Sequence, residues 1–180
     1  MTTDLTERAY EAEEIAEVPL VRLSKDLLAA SRLLSKQEVR YLVDGYYAIQ
    51  EYRKAAANQV RALTDADEPA KVLTYLFAHS KGIEGQIKRA LTVGAEGEAV
   101  CAWAMTIRGI GPVLAAGLRA HVDMSRCPTV GPLWAFGGYN PDVKWEKGQK
   151  RPWNADLKVL FWKIGESFVK QAGKPGDVYG

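Results

Sequence analysis

Little in this sequence can hold a metal or form a covalent intermediate. Among 180 residues there are two cysteines, Cys101 and Cys127, and two histidines, His79 and His121. No two of them stand at metal-ligand spacing and there is no CxxC, so reduced structural thiols are expected. The histidines lie far apart in the chain, and a structural role is expected of each. No phosphate-binding P-loop and no dinucleotide fingerprint occurs. The acids on helical stretches, such as Glu84, Glu96 and Glu98, read as solvated surface. No catalytic residue, metal or cofactor is therefore expected. No apolar run approaches the length of a bilayer span, and the N-terminus is acidic where a signal peptide would be basic and then apolar. The expectation is a cytoplasmic protein with no membrane partner. Alternating strand patterns are lacking as well, which points to an all-α fold.

What is present is ordinary in bulk and uneven in detail. With 47% apolar and 26% charged residues, the chain has the composition of a globular protein able to bury a core. The formal charge of +2 hides an asymmetry. Residues 1–20 hold Asp4, Glu7, Glu11, Glu13, Glu14 and Glu17 against Arg8 alone, so the positive excess belongs to the remainder. Such an acidic arm is either a solvated tail, a competitor for a basic surface or a contact for a protein partner.

After a leucine-rich lead-in broken by Pro19, Ser35 and Glu38 stand at capping-box spacing and mark a helix start. Val39, Leu42, Tyr46, Ile49, Ala56, Val60 and Leu63 then recur at steps of three and four, with Arg53 breaking the register. Asp65, Asp67 and Pro69 form a turn. Leu73, Leu76, Ile83, Ile87 and Ala90 continue the spacing beyond it, interrupted by Ser80. Two long helices joined by a short polar turn should pack antiparallel. Their seams leave apolar residues over, so a homodimer through residues 36–63 and 69–92 is one expectation and a purely internal hairpin the other.

A third helix is expected from Glu96 to Ile107, with Ala99, Trp103 and Ile107 on one face. Then comes Ile107-Arg-Gly-Ile-Gly-Pro-Val-Leu-Ala115, the pattern of a helix-hairpin-helix. Gly109 and Gly111 would each supply backbone angles that other residues disfavour. Ile110 would peg the two helices together, and Pro112 suits the first turn of the next helix. Free amides at such a helix start can hold a phosphate. The candidate contacts are Arg108, Gly109, Ile110, Gly111, Val113 and Arg119. Val113 stands where DNA-gripping versions often carry lysine. Downstream, Lys144, Trp145, Lys147, Lys150 and Arg151 make a basic, tryptophan-containing loop suited to phosphates and bases. A closing helix from Asn154 presents Leu157, Leu160, Phe161, Ile164 and Phe168 on one face and stops at Gly173 and Pro175.

The segment from Gly109 to Phe168 resembles the C-terminal domain of the Piv-type DNA invertases and insertion-sequence 110 transposases. The resemblance is carried by Arg108-Gly-Ile-Gly-Pro-Val-Leu-Ala115, Asp123-Met-Ser-Arg-Cys127 and Leu133-Trp-Ala-Phe-Gly-Gly-Tyr-Asn-Pro141. The preceding hairpin looks like the coiled coil of that family. The resemblance implies a DNA-handling scaffold of mobile-element or phage origin. It does not extend to chemistry: residues 1–34 cannot form the family's nuclease domain. Residues 142–152 also lack its loop serine, and neither Ser125 nor Ser167 is marked as a nucleophile.

The expected organisation is an acidic arm and lead-in over 1–34 and a long helical hairpin over 35–94. A compact helical bundle containing the helix-hairpin-helix follows over 95–172, then a flexible tail over 173–180. Three functions stay open: a non-catalytic binder of DNA or RNA, a protein-interaction module on a transposase-derived fold, and a recombinase fragment that needs a partner.

Overall fold

The computed structural model describes residues 22–175. Among them are seven α-helices and no strand, the all-α fold that the spacing predicts. The helices are α1 (Lys25–Ala30), α2 (Lys36–Asp65), α3 (Lys71–Glu96), α4 (Ala99–Ala104), α5 (Pro112–His121), α6 (Val130–Phe136) and α7 (Ala155–Gln171), with a single 3-10 turn at Ser31–Leu33. No helix of the described residues is long and apolar enough to cross a membrane. The acidic arm and the last five residues of the tail lie outside the described residues. The chain forms two compact units, one from Asp44–Arg89 with the described residues up to Leu28, the other from Ala29–Val43 with Ala90 onward.

The first unit is a helical hairpin. Its turn closes as a Schellman motif: the Glu68 N–H donates to the Leu63 carbonyl at 2.9 Å and the Asp67 N–H to Thr64 at 3.2 Å, with Asp67 in the left-handed region at φ 60°. On α2 the seam follows the sequence reading, with Ala56 buried and Tyr46, Ile49, Val60 and Leu63 half-buried, but Gln50 and Arg53 join it. On α3 it differs: Leu73, Phe77, Ser80, Glu84 and Ile87 turn inward, while Leu76 and Ile83 stay exposed at 41% and 52%. The shift has a chemical cause. Arg53 and Glu84, read as a register break and a surface acid, neutralise each other inside the seam through an ion pair. Gln50 Nε2 donates to Glu84 Oε1 at 3.3 Å and to the Tyr46 hydroxyl at 3.2 Å. Burial works against the Glu84 carboxylate, but hydrogen bonds from Arg53, Gln50 and Tyr46 outweigh it and hold its pKa below the ordinary value.

In the second unit, α2 starts where the capping box predicts. The Glu38 N–H donates to Ser35 Oγ at 3.2 Å and the Ser35 N–H to the Glu38 carboxylate at 2.8 Å. Two apolar clusters form the core of this unit. Ala95, Cys101, Ala104, Ile110 and Ala115 make a thin layer of mostly small residues. Leu157, Leu160 and Ile164 of α7 make the second, against Leu114, Leu118 and Leu133. Asn154 caps α7, its side chain accepting from the Asp156 and Leu157 amides. The helix expected over Glu96–Ile107 is corrected: α3 runs on to Glu96, and α4 covers only Ala99–Ala104. Trp103 is 65% exposed, and Cys101 and Ala104 are buried in its place. A layer built on Ala95 and Ala115 has room for small side chains and none for an indole.

Candidate nucleic-acid interface

The hairpin turn between α4 and α5 is held from both sides. The Ile110 N–H donates to the Ile107 carbonyl at 3.0 Å, and the Ile110 side chain is buried in the thin core layer, the peg that the sequence predicts. Gly109 takes φ +99°, and a Cβ there would stand 3.0 Å from the Phe168 ring. Ser167 Oγ donates to the Gly109 carbonyl at 2.7 Å, fixing the turn onto α7. Gly111 is different. It caps α5 with φ −89° and ψ 173°, extended backbone open to any residue, and an added Cβ would meet nothing within 4 Å. The expectation that both glycines are conformationally required is corrected to Gly109 alone.

No side chain caps the α5 start, and Pro112 occupies its first turn. The amides of Val113 and Leu114 therefore have no acceptor within their own helix. The Val113 side chain is buried, so only its backbone can face a ligand. Arg108 is half-buried, its Nε 3.3 Å from Gln171 Oε1. Arg119 is not brought to the turn: two helical turns further on, its guanidinium donates to the Leu34 carbonyl at 3.1 Å.

The loop between α6 and α7 gathers the other candidates. Lys144, Lys147, Lys150 and Arg151 are all exposed, and none has a carboxylate in ion-pair distance among the described residues. Two indoles brace them. Trp145 is half-buried and donates its N–H to the Gln149 carbonyl at 2.7 Å, while Arg151 stacks over its ring at 5.1 Å. Trp153 meets Trp145 at 6.3 Å and lies against Gly138, where a Cβ would come within 2.7 Å of the ring. Gly138 has φ +75°, so both its backbone angle and its bare α-carbon are needed.

Lys158, the last cation of the basic stretch that begins at Lys144, lies on α7 and places its ammonium 4.5 Å from the Trp153 ring and 5.7 Å from Tyr139. What escapes the sequence reading is the groove on its flank. There α6 and α7 enclose an open space of about 860 Å³ lined by Leu133, Trp134, Tyr139, Phe161, Trp162, Ile164, Gly165, Glu166, Phe168 and Val169. The available signal was Trp162, Gly165 and Val169, a second helical stripe on α7 beside the stripe that forms the core.

Ser125 Oγ donates to Asp123 Oδ1 at 2.7 Å in a local turn, and Ser167 is committed to Gly109. The hydroxyl and backbone N–H of Ser125, both donating to Asp123 Oδ1, hold the Asp123 carboxyl below its ordinary value. Among the described residues no group of three or more His, Cys, Asp and Glu side chains is placed to hold a metal ion. The chain matches no known protein family, no curated protein and no solved structure.

Proposed function

We propose that this chain is a non-catalytic, cytoplasmic nucleic-acid-binding protein that grips the sugar–phosphate backbone, duplex DNA in the first instance, with little regard to sequence. The observation that carries the reading is the α6–α7 loop. Four exposed cations stand together without carboxylate partners, on a frame of two indoles. Cations left unneutralised by the protein itself are available to phosphates. The uncapped α5 start offers a second, backbone contact of the same chemistry. The resemblance to the C-terminal domain of the Piv-type invertases and insertion-sequence 110 transposases points the same way, as a DNA-handling scaffold without cutting chemistry. The test is a titration of DNA and RNA against the protein at several salt concentrations. Affinity that falls steeply with salt supports the proposal, and absence of binding to either at low salt overturns it in favour of a protein-interaction module.

The hairpin supplies self-association in this proposal. One flank of it carries no charge: Gly45, Ile49, Tyr52, Ala56, Gln59 and Leu63 on α2, and Val72, Leu76, His79, Ile83 and Gln86 on α3. The other flank holds Asp44, Glu51, Lys54, Arg61, Lys81 and Lys88. With Arg53 set opposite Glu84, the helical repeat puts both uncharged flanks on the same side. Ala56 is buried within the hairpin, and the exposed part of this flank is Tyr52 and Gln59 on α2 with Val72, Leu76 and Ile83 on α3. A face about 27 Å long and about 20 Å wide gives on the order of 1,000 Å² across two protomers. That reaches the lower size of specific interfaces.

A further inference from the structure

The groove between α6 and α7 is an open, mostly apolar feature of the second unit, and the phosphate-binding reading does not use it. Trp134 and Trp162 stand at its sides with 59% and 60% of their surfaces exposed. Its chemistry continues beyond its own walls. Phe161 meets Tyr139 at 5.9 Å, and Lys158 sits between Tyr139 and Trp153 at 5.7 and 4.5 Å. Trp153 meets Trp145 at 6.3 Å, and Arg151 covers Trp145 at 5.1 Å. Aromatic rings and cations thus alternate without a break from the groove into the basic loop. At its other end the groove is lined by Phe168, the ring against which Gly109 of the hairpin turn packs.

We infer that this groove takes the unpaired bases of a single-stranded nucleic acid, an inference that rests on the nucleic-acid reading above and names the strand form the site prefers. A base has two apolar faces, and its phosphate is a fixed anion one bond series away. A surface that holds such a polymer needs rings for the faces and cations for the phosphates, interleaved at short range. The groove and loop supply that sequence. A duplex keeps its bases stacked on each other and can use only the cations. The fit also decides against an apolar protein helix, which would match the groove but leave Lys158 and the loop cations without counter-charge. Glu166 is the one acid in the groove wall, and Lys170 neutralises it at 2.7 Å, so it does not repel a passing phosphate. With so few polar groups in the walls, stacking is sequence-tolerant, in keeping with backbone recognition elsewhere on the surface.

The experiment compares a thymidine oligomer and a uridine oligomer of about 12 nucleotides with a duplex of the same length, by titration of tryptophan fluorescence and by acrylamide quenching. The expected result is single-strand binding about tenfold tighter than duplex binding, with the indoles shielded from acrylamide only by the single strands. Trp134→Ala and Trp162→Ala, at exposed positions, should remove that preference while duplex affinity and its salt slope stay in place. Equal affinity for strand and duplex in the unaltered protein overturns this inference and leaves the phosphate reading standing. Single-strand affinity unchanged in both variants also overturns it. Loss of binding to every nucleic acid overturns both readings. Preference for one of the two oligomers shows that the sugar or the C5 methyl group of the base is read as well, and supports the groove provided the two variants abolish it.

Discussion

At the scale of single residues, the two glycines of the hairpin turn make the sharpest contrast. Gly109 has a positive φ and a phenyl ring close to where a Cβ would be; Gly111 has neither. Gly109→Ala should cost about 2 kcal/mol, since an L-residue in the left-handed region loses about 1–2 kcal/mol before any clash with Phe168. Gly111→Ala should stay within about 0.5 kcal/mol, the range of a surface change that breaks nothing. Urea denaturation of the two variants decides the point. An equal loss in both would mean that the turn is not as described. The pattern Gly-Ile-Gly-Pro made the turn and its inward isoleucine legible in the sequence, because the backbone need and the apolar peg are local. Which glycine carries the strain was not legible, since that depends on α7, more than fifty residues away. The contact of Lys158 with Tyr139 was hidden for the same reason: it exists only after α7 folds back on the loop.

At the scale of elements, the long hairpin shows how a strong pattern can name the right helices and only part of the seam. Ala56 is buried as the spacing predicts, but α3 leaves Leu76 and Ile83 outside and turns in the neighbouring stripe, whose Glu84 pairs with Arg53 of α2. Pattern reading penalises Arg53 and Glu84 singly and cannot see that each removes the other's cost. Both side chains keep some exposure, 26% and 12%, so losing one partner should cost about 1–3 kcal/mol, less than in a dry interior. Arg53→Leu or Glu84→Leu alone should therefore destabilise, and the double replacement should recover most of the loss. The pH dependence has a definite sign. Glu84 has its carboxyl pKa lowered in the folded state, so its ionised form stabilises the fold fully above the ordinary 4.5. That contribution is lost as pH falls from 4.5 through the lower folded value, and Glu84→Gln should flatten this part of the acid limb. The stripe left outside belongs to the proposed dimer. Ile83→Glu puts a charge on the uncharged flank at a position already 52% exposed, so the fold should survive. Sedimentation should then show a monomer where the unaltered protein is a dimer, and a monomer in both cases would refute self-association through this face.

At the scale of the whole molecule, the proposed function rests on a balance of charge that the total conceals. A formal +2 is too small to hold a polyanion by itself. What matters is that the first twenty residues hold six acids against one arginine, whereas the α6–α7 loop presents four cations with no ionic partner among the described residues. Each cation that neutralises a phosphate releases a condensed counterion, so the logarithm of affinity falls with the logarithm of salt in proportion to the contacts made. Replacing Lys144, Lys147, Lys150 and Arg151 together by alanine should flatten that slope on duplex DNA by up to about 4 units, at about 0.9 per contact. All four are exposed, so the melting temperature should hardly move, although losing Arg151 from the Trp145 ring removes one stacking contact. Residual binding with a shallow slope would then belong to the uncapped start of α5, where backbone amides rather than cations meet the phosphate. Arg119→Ala separates charge from position: it removes the same charge from a residue tied to Leu34, so it should lower stability and leave the slope unchanged. An unaltered slope in the four-alanine protein, with binding still salt-dependent, would place the phosphate contacts on another face and remove the loop from the site.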